Sequence, residues 1–226
     1  MADIVLRPDR EIVDYLTNEI AERLAAGERV LWLIPGGSAS FIALDVLKHL
    51  EGIDMSQLFI TLTDERYGAP GHPNENWTQL CNAGFTVDDT RMYRVLRGDA
   101  VESTVEEFDQ QLQQWLENTD YSLGLFGIGV DGHTAGIKPY SPAVTNEKGV
   151  AYFKGEDFER VTITPKVIAE LDEAVAYTLG KAKFPTLHQL LTTLTPIDEQ
   201  PAQALKLAKK TMLFTDYKID SEKEGI

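Results

Sequence analysis

Arg29-Val30-Leu31-Trp32-Leu33-Ile34-Pro35-Gly36-Gly37-Ser38 decides the fold. Five consecutive apolar residues follow Arg29, so a strand built from them must be buried on both faces. Pro35-Gly36-Gly37 ends the strand, and a helical pattern runs from there to Leu50. A doubly buried strand, a glycine turn and a helix form the opening of a parallel β-α-β unit.

The same alternation extends outward in both directions. Upstream, Ile4 to Leu6 read as a short strand. Residues 9–26 read as an amphipathic helix, because Ile12, Leu16, Ile20 and Leu24 recur every four positions on one face. Downstream, strands are expected at Leu58 to Leu62, Met92 to Val95, Leu123 to Ile128, Val150 to Phe153, Val161 to Ile163, Ala174 to Leu179 and Met212 to Thr215. Helices are expected at Glu75 to Cys81, Val101 to Leu116 and Lys181 to Leu191. Residues 136–149, with Pro139, Pro142 and Gly149, read as loop. The expected fold is α/β: a mostly parallel, doubly wound, Rossmann-like sheet with helices on both faces and a small additional β/loop region. No internal repeat or long linker interrupts the pattern, so a single domain over residues 1–226 is expected.

Composition narrows the function classes. The chain has 226 residues, 43% of them hydrophobic and 25% charged, which is a globular balance and not a disordered one. Its net charge of −15 argues against nucleic acid as a partner, because that binding needs Lys and Arg to neutralise phosphates. Any cation that a motif places at a ligand site works against this field and is therefore informative. The single cysteine, Cys81, allows no internal disulfide and no cysteine-based zinc site, as expected of a reducing cytoplasm. Met1-Ala2-Asp3-Ile4-Val5 lacks the pattern of a secretory leader, and no apolar run is long enough for a membrane helix. No pair of histidines has helical metal-ligand spacing, so neither metal nor cofactor is expected. No motif speaks to the oligomeric state.

In open α/β sheets ligands bind beyond the C-terminal ends of the strands, and three strand ends here carry chemistry. At the first, Gly36 and Gly37 let the backbone approach a ligand, and the following helix start favours an anion. Ser38 serves either as an N-cap or as a phosphate contact. The Lys-Ser/Thr ending of a nucleotide-triphosphate loop is missing. At the second, Thr63 leads into Asp64-Glu65-Arg66. Arg66 offers a planar fork for phosphate or carboxylate, and Asp64 either orients that fork or acts in proton transfer. The third reads Gly127-Ile128-Gly129-Val130-Asp131-Gly132-His133-Thr134-Ala135. It matches the GxGxxG dinucleotide pattern, but the helix and second strand which that pattern requires are replaced by a proline-containing loop. His133 is a candidate proton acceptor near neutral pH. Asp131 would fix its tautomer or bind the substrate. His72, in the loop after Arg66, and His49 and His188, on expected helices, read as ordinary.

In this order the three strand ends resemble the 6-phosphogluconolactonase family, which shares a superfamily with glucosamine-6-phosphate deaminases. The resemblance extends to Arg160-Val161-Thr162-Ile163-Thr164, to Gly180 followed by Lys183, and to Met212-Leu213-Phe214-Thr215-Asp216. It implies hydrolysis of 6-phospho-D-glucono-1,5-lactone in the pentose phosphate pathway, with His133 as the general base that activates water. Asp131 would position His133 or touch the sugar. Phosphate would be held by Gly36, Gly37 and Ser38 with Arg160 and Lys183. Arg66 would bind phosphate or steady the oxyanion. The implied partner is a small phosphosugar lactone.

Several positions depart from the family pattern. Ala39-Ser40 replaces Thr-Pro, Glu75 replaces the serine of Ser-Asn, and Gly136-Ile137-Lys138-Pro139 replaces Ser-Leu-Phe-Pro. These departures bear on substrate identity and rate more than on fold, and Lys138 is an added candidate for contacting phosphate. The alternative activity is that of a glucosamine-6-phosphate deaminase or an aldose–ketose isomerase. Those enzymes carry tyrosine where Arg66 stands and a glutamate where Lys138 stands. A sugar-phosphate-binding homologue without catalysis is a third reading.

Overall fold

The computed structural model describes residues 3–87 and 91–218. Met1 and Ala2, and hence part of the leader reading and of the expected 1–226 domain, lie outside them. Seven strands form one all-parallel sheet: β1 (Ile4–Pro8), β2 (Val30–Ile34), β3 (Leu58–Leu62), β5 (Met92–Tyr93), β6 (Tyr121–Gly127), β9 (Glu173–Thr178) and β10 (Lys210–Thr215). Their spatial order is β1-β10-β9-β6-β2-β3-β5. As its apolar run requires, β2 is buried at all five positions.

The helices are α1 (Ile12–Ala25), α2 (Ser40–His49), α3 (Asn76–Asn82), α4 (Val101–Asn118), α5 (Pro165–Glu170) and α6 (Phe184–Thr192). Ile12, Leu16, Ile20 and Leu24 are the buried residues of α1, as their spacing predicts. From β2 the chain steps through α2 to β3 and through α3 to β5, toward one edge. It then returns through α4 to β6 and proceeds to β9 and β10, toward the other edge. Right-handed crossovers in opposite directions put the two sets of helices on opposite faces, which is the doubly wound arrangement. The order reverses between β2 and β6, so their C-terminal ends flank a crevice.

A second, three-stranded antiparallel sheet, β4-β8-β7, joins Asp64–Arg66, Glu159–Ile163 and Val150–Lys154. This is the expected additional β region, with one difference. Asp64-Glu65-Arg66, expected only as the end of the preceding strand, forms a strand of its own, β4, laddered to β8. Further differences are local. Ser38 does not cap α2: the chain first makes a 3-10 turn over Gly37–Ala39, and it is Ser40 whose hydroxyl donates to the Gly37 carbonyl at 2.7 Å. A 3-10 turn, Lys181–Lys183, likewise precedes α6. The core is continuous, with Trp32, Phe108, Phe126 and Phe214 among its largest fully buried side chains.

Candidate active site

β6, β2 and β3 are neighbours in the sheet, so the three chemistry-bearing strand ends meet. They open into a cleft of about 390 Å³ whose walls include Gly36, Gly37, Ser38, Asp64, Arg66, Asn76, His133, Lys138, Arg160 and Lys183. Asp131 stands behind His133, in contact with it. Every residue given a catalytic or phosphate-binding role from the sequence therefore lies in this one region.

The His133 ring is held from one side. Its Nδ1 lies 2.5 Å from Asp131 Oδ1, and the His133 backbone N–H donates to the same oxygen at 3.2 Å. A carboxylate only accepts, so Nδ1 carries the proton in the neutral ring and Nε2 is left as the basic nitrogen. The hydrogen bond from His133 holds the Asp131 carboxyl far below the usual carboxylate range. Lys138 Nζ lies 3.2 Å from the other Asp131 oxygen.

The glycines around this pair have a spatial cause. A Cβ at Gly129 would overlap both His133 Nδ1 and Asp131 Oδ1, so the pair exists only because position 129 has no side chain. The Gly129 N–H donates to the His133 carbonyl at 2.9 Å and the Gly132 N–H to the Gly129 carbonyl at 3.1 Å, which closes the turn. The GxGxxG pattern thus folds a loop around a histidine, and no helix follows it before β7.

The antiparallel register sets the opposite wall. Asp64 pairs with Thr162 and Arg66 with Arg160, so these four side chains project from the same face of the small sheet. Two arginines directly opposite one another repel. Phe158 and Asp157, just before β8, offset this. The Phe158 ring lies 4.6 Å from the Arg66 guanidinium and 5.6 Å from that of Arg160. Asp157 takes the Arg160 fork in two hydrogen bonds, of 2.5 and 2.8 Å. Burial pushes the Asp64 carboxyl up, against the pull of the Thr63 hydroxyl and of Arg160, His133 and Arg66.

Glu65, between the two wall residues, points the other way and is fully buried. It accepts the backbone N–H groups of Arg66, Asn76 and Trp77, and so caps α3. Burial raises its carboxyl to about 8 even so. Asn76 bridges the first two strand ends: its Nδ2 donates to the Asp64 carbonyl at 3.0 Å, and its side chain fills the space a Cβ at Gly36 would occupy. Its Oδ1 is buried without a hydrogen-bond partner on the wall of the cleft. Sequence reasoning missed Asp157 and Phe158, and it placed Asn76 on the asparagine of the family's Ser-Asn without giving it a role, which the overlap at Gly36 supplies. Of the departures from the family pattern, Gly136 is required sterically, since a Cβ there would press on Thr162 and Asp64. His72 only supports the loop, through Nε2 at 2.9 Å from the Arg66 carbonyl.

A doubly wound α/β protein with a cation-rich, histidine-bearing cleft at the switch point of its sheet is the class that fold and site define. Within it, the model of the family described as glucosamine-6-phosphate isomerases/6-phosphogluconolactonase matches residues 9–214, and the chain belongs to that family. It is 26% identical over 215 residues to the 6-phosphogluconolactonase of Treponema pallidum, covering 89% of this chain and 88% of that one. The crystal structure of the Thermotoga maritima 6-phosphogluconolactonase superposes with a TM-score of 0.77 at 20% identity, over 95% of this chain and 99% of that one. A monomeric glucosamine-6-phosphate deaminase superposes nearly as well, with a TM-score of 0.76 at 17% identity over 94% and 96% of the chains. The fold is therefore common to both activities.

Proposed function

We propose that the protein hydrolyses 6-phospho-D-glucono-1,5-lactone, with His133 as general base. The observation that carries this reading is the Asp131–His133 pair at 2.5 Å on a cleft that also presents Arg66, Arg160 and Lys183. Water attacks the lactone carbonyl while His133 Nε2 takes its proton. The carbonyl oxygen becomes an oxyanion beside the arginines of the β4–β8 wall. The oxyanion then collapses, the ring C–O bond breaks, and the imidazolium returns its proton to the departing ring oxygen. The product acid ionises, and no cofactor enters the balance. A lactone is an activated ester, so a placed base and fixed positive charge are sufficient catalysts.

In this reading the Gly36-Gly37-Ser38 backbone and Lys183 take the phosphate. The Arg160 fork is already on Asp157, so Arg160 contributes mainly field, and Arg66 is the better oxyanion partner. Residues 1–226 are read as one domain, supported by both sheets lining the same cleft. A cytoplasmic enzyme of the pentose phosphate pathway fits a chain with one cysteine. No helix among the described residues is long and apolar enough to cross a membrane.

The test is hydrolysis of freshly generated lactone, with the spontaneous rate subtracted. Wild type should be fast, and His133→Ala slower by about 10²–10⁴-fold. Ammonia release from glucosamine 6-phosphate, with no lactone turnover, would transfer the assignment to the deaminase branch.

A further inference from the structure

Lys138 stands where the sequence departs from both activities of the superfamily, which place phenylalanine or glutamate before the proline. Its ammonium is 3.2 Å from Asp131 Oδ2 and 3.4 Å from His133 Nδ1, with 30% of the side chain exposed. Nδ1 already directs its proton at Asp131 Oδ1, so it has no lone pair for Lys138. The lysine's hydrogen bond therefore goes to Asp131, and its approach to the ring is electrostatic. We propose that Lys138 is a positioning residue for the general base: it braces the outer oxygen of Asp131, fixes the inner oxygen on Nδ1–H, and disfavours a second proton on the His133 ring. This rests on the reading of His133 as base, and it replaces the expectation that Lys138 contacts the phosphate.

The surroundings of His133 make the effect assignable. Asp131 and Lys138 touch the ring, Asp64 acts on it from β4, Arg160 acts on Asp131 from β8, and Arg66 and Lys183 share the cleft. Arg160 is offset by Asp157. Asp131 favours the imidazolium from 2.5 Å, and Lys138 opposes it from 3.4 Å. Removing the ammonium leaves the Asp131 charge acting alone, so the ring should hold its proton to higher pH. Behind Lys138 lies a second cavity of about 700 Å³, shared with Asp131, Tyr140 and Asp157, which gives a longer arginine side chain room at this position.

The experiment follows His133 directly by NMR titration of its ring, assigned with His133→Ala, in wild type, Lys138→Met and Lys138→Arg. Lactone turnover is measured in parallel from pH 5.5 to 8. In Lys138→Met the His133 midpoint and the acid limb of kcat/KM should both move up by about 0.5 pH unit or more. That corresponds to roughly threefold lower kcat/KM on the acid side, with KM at pH 8 within about twofold of wild type. Lys138→Arg should restore the wild-type midpoint. An unmoved midpoint in Lys138→Met would overturn the proposal, as would a large rise in KM with the pH profile unchanged. If His133→Ala retains full turnover, the base reading fails instead, and the ring titration still reports whether Lys138 acts on His133.

Discussion

Gly129 shows how one missing side chain makes room for the Asp131–His133 pair. Its Cβ would stand well under 3.0 Å from both members of the Asp131–His133 pair. Gly129→Ala should therefore displace the His133 ring, the proposed base, by a good fraction of an ångström. Because catalysis depends steeply on such placement, kcat should fall about 100-fold with the fold retained, as lactone turnover and circular dichroism would record. A variant within threefold of wild type would mean that the pair does not set the rate. At this scale much of the candidate site was legible: His133, Asp131, Arg66 and the glycine loops, which the structure brings together, were all marked by residue type and position. The role of Asn76 and the presence of Phe158 were not, because an amide filling the space beside a glycine and a ring between two guanidinium groups leave no signature along the chain.

Among the elements, the segment from β4 to α3 is the one whose sequence misleads. Three charged residues in a row do not signal a strand, yet they form one because β8 pairs with them. Glu75 then ties this segment to the region after β5. It is fully buried and meets Arg94 in two hydrogen bonds of 2.8 and 2.7 Å, while accepting the Gly71 N–H and the Thr78 hydroxyl. Burial alone would push its carboxyl up, but these partners outweigh it and hold it below its ordinary value. Glu75→Gln should lower stability at pH 7 by about 2 kcal/mol in urea unfolding, discounted because Arg94 is partly exposed and can return to water. Its folded value lies below the unfolded one, near 4.3. The stabilisation is thus complete above that range and is lost as pH falls through the folded value. The gap between wild type and Glu75→Gln should therefore narrow as the pH falls below the unfolded value; a gap of constant size would show that the ionised form contributes nothing. The short α5 and the 3-10 turn over Pro201–Leu207 escaped the sequence reading for a simpler reason, since each is too brief to display a period.

For the whole molecule, the two ends of the large sheet do different work. The C-terminal end gathers Arg66, Lys138, Arg160 and Lys183 around the cleft, in a chain of net charge −15. At the N-terminal end, the buried Glu173 accepts hydrogen bonds from the hydroxyls of Tyr15 and Tyr121 and from Lys210. Burial, with Glu173 beside them, pushes both phenols well above their ordinary value. Glu173→Ala should cost about 3 kcal/mol of stability by leaving these groups unpartnered. It should leave kcat/KM within twofold, because the cleft lies at the far end of the strands; a matching loss of activity would show that the two ends are coupled. The sheet order, too, was only half legible. Strand alternation gave its class, but the neighbours of β1 are set by tertiary packing. That edge has a consequence for how the protein is made. Ile4 pairs with Thr211 and Pro8 with Thr215, and among the described residues β10 is β1's only neighbour in the sheet. During synthesis β1 must wait, without this partner, until β10, more than 200 residues further along, has emerged from the ribosome.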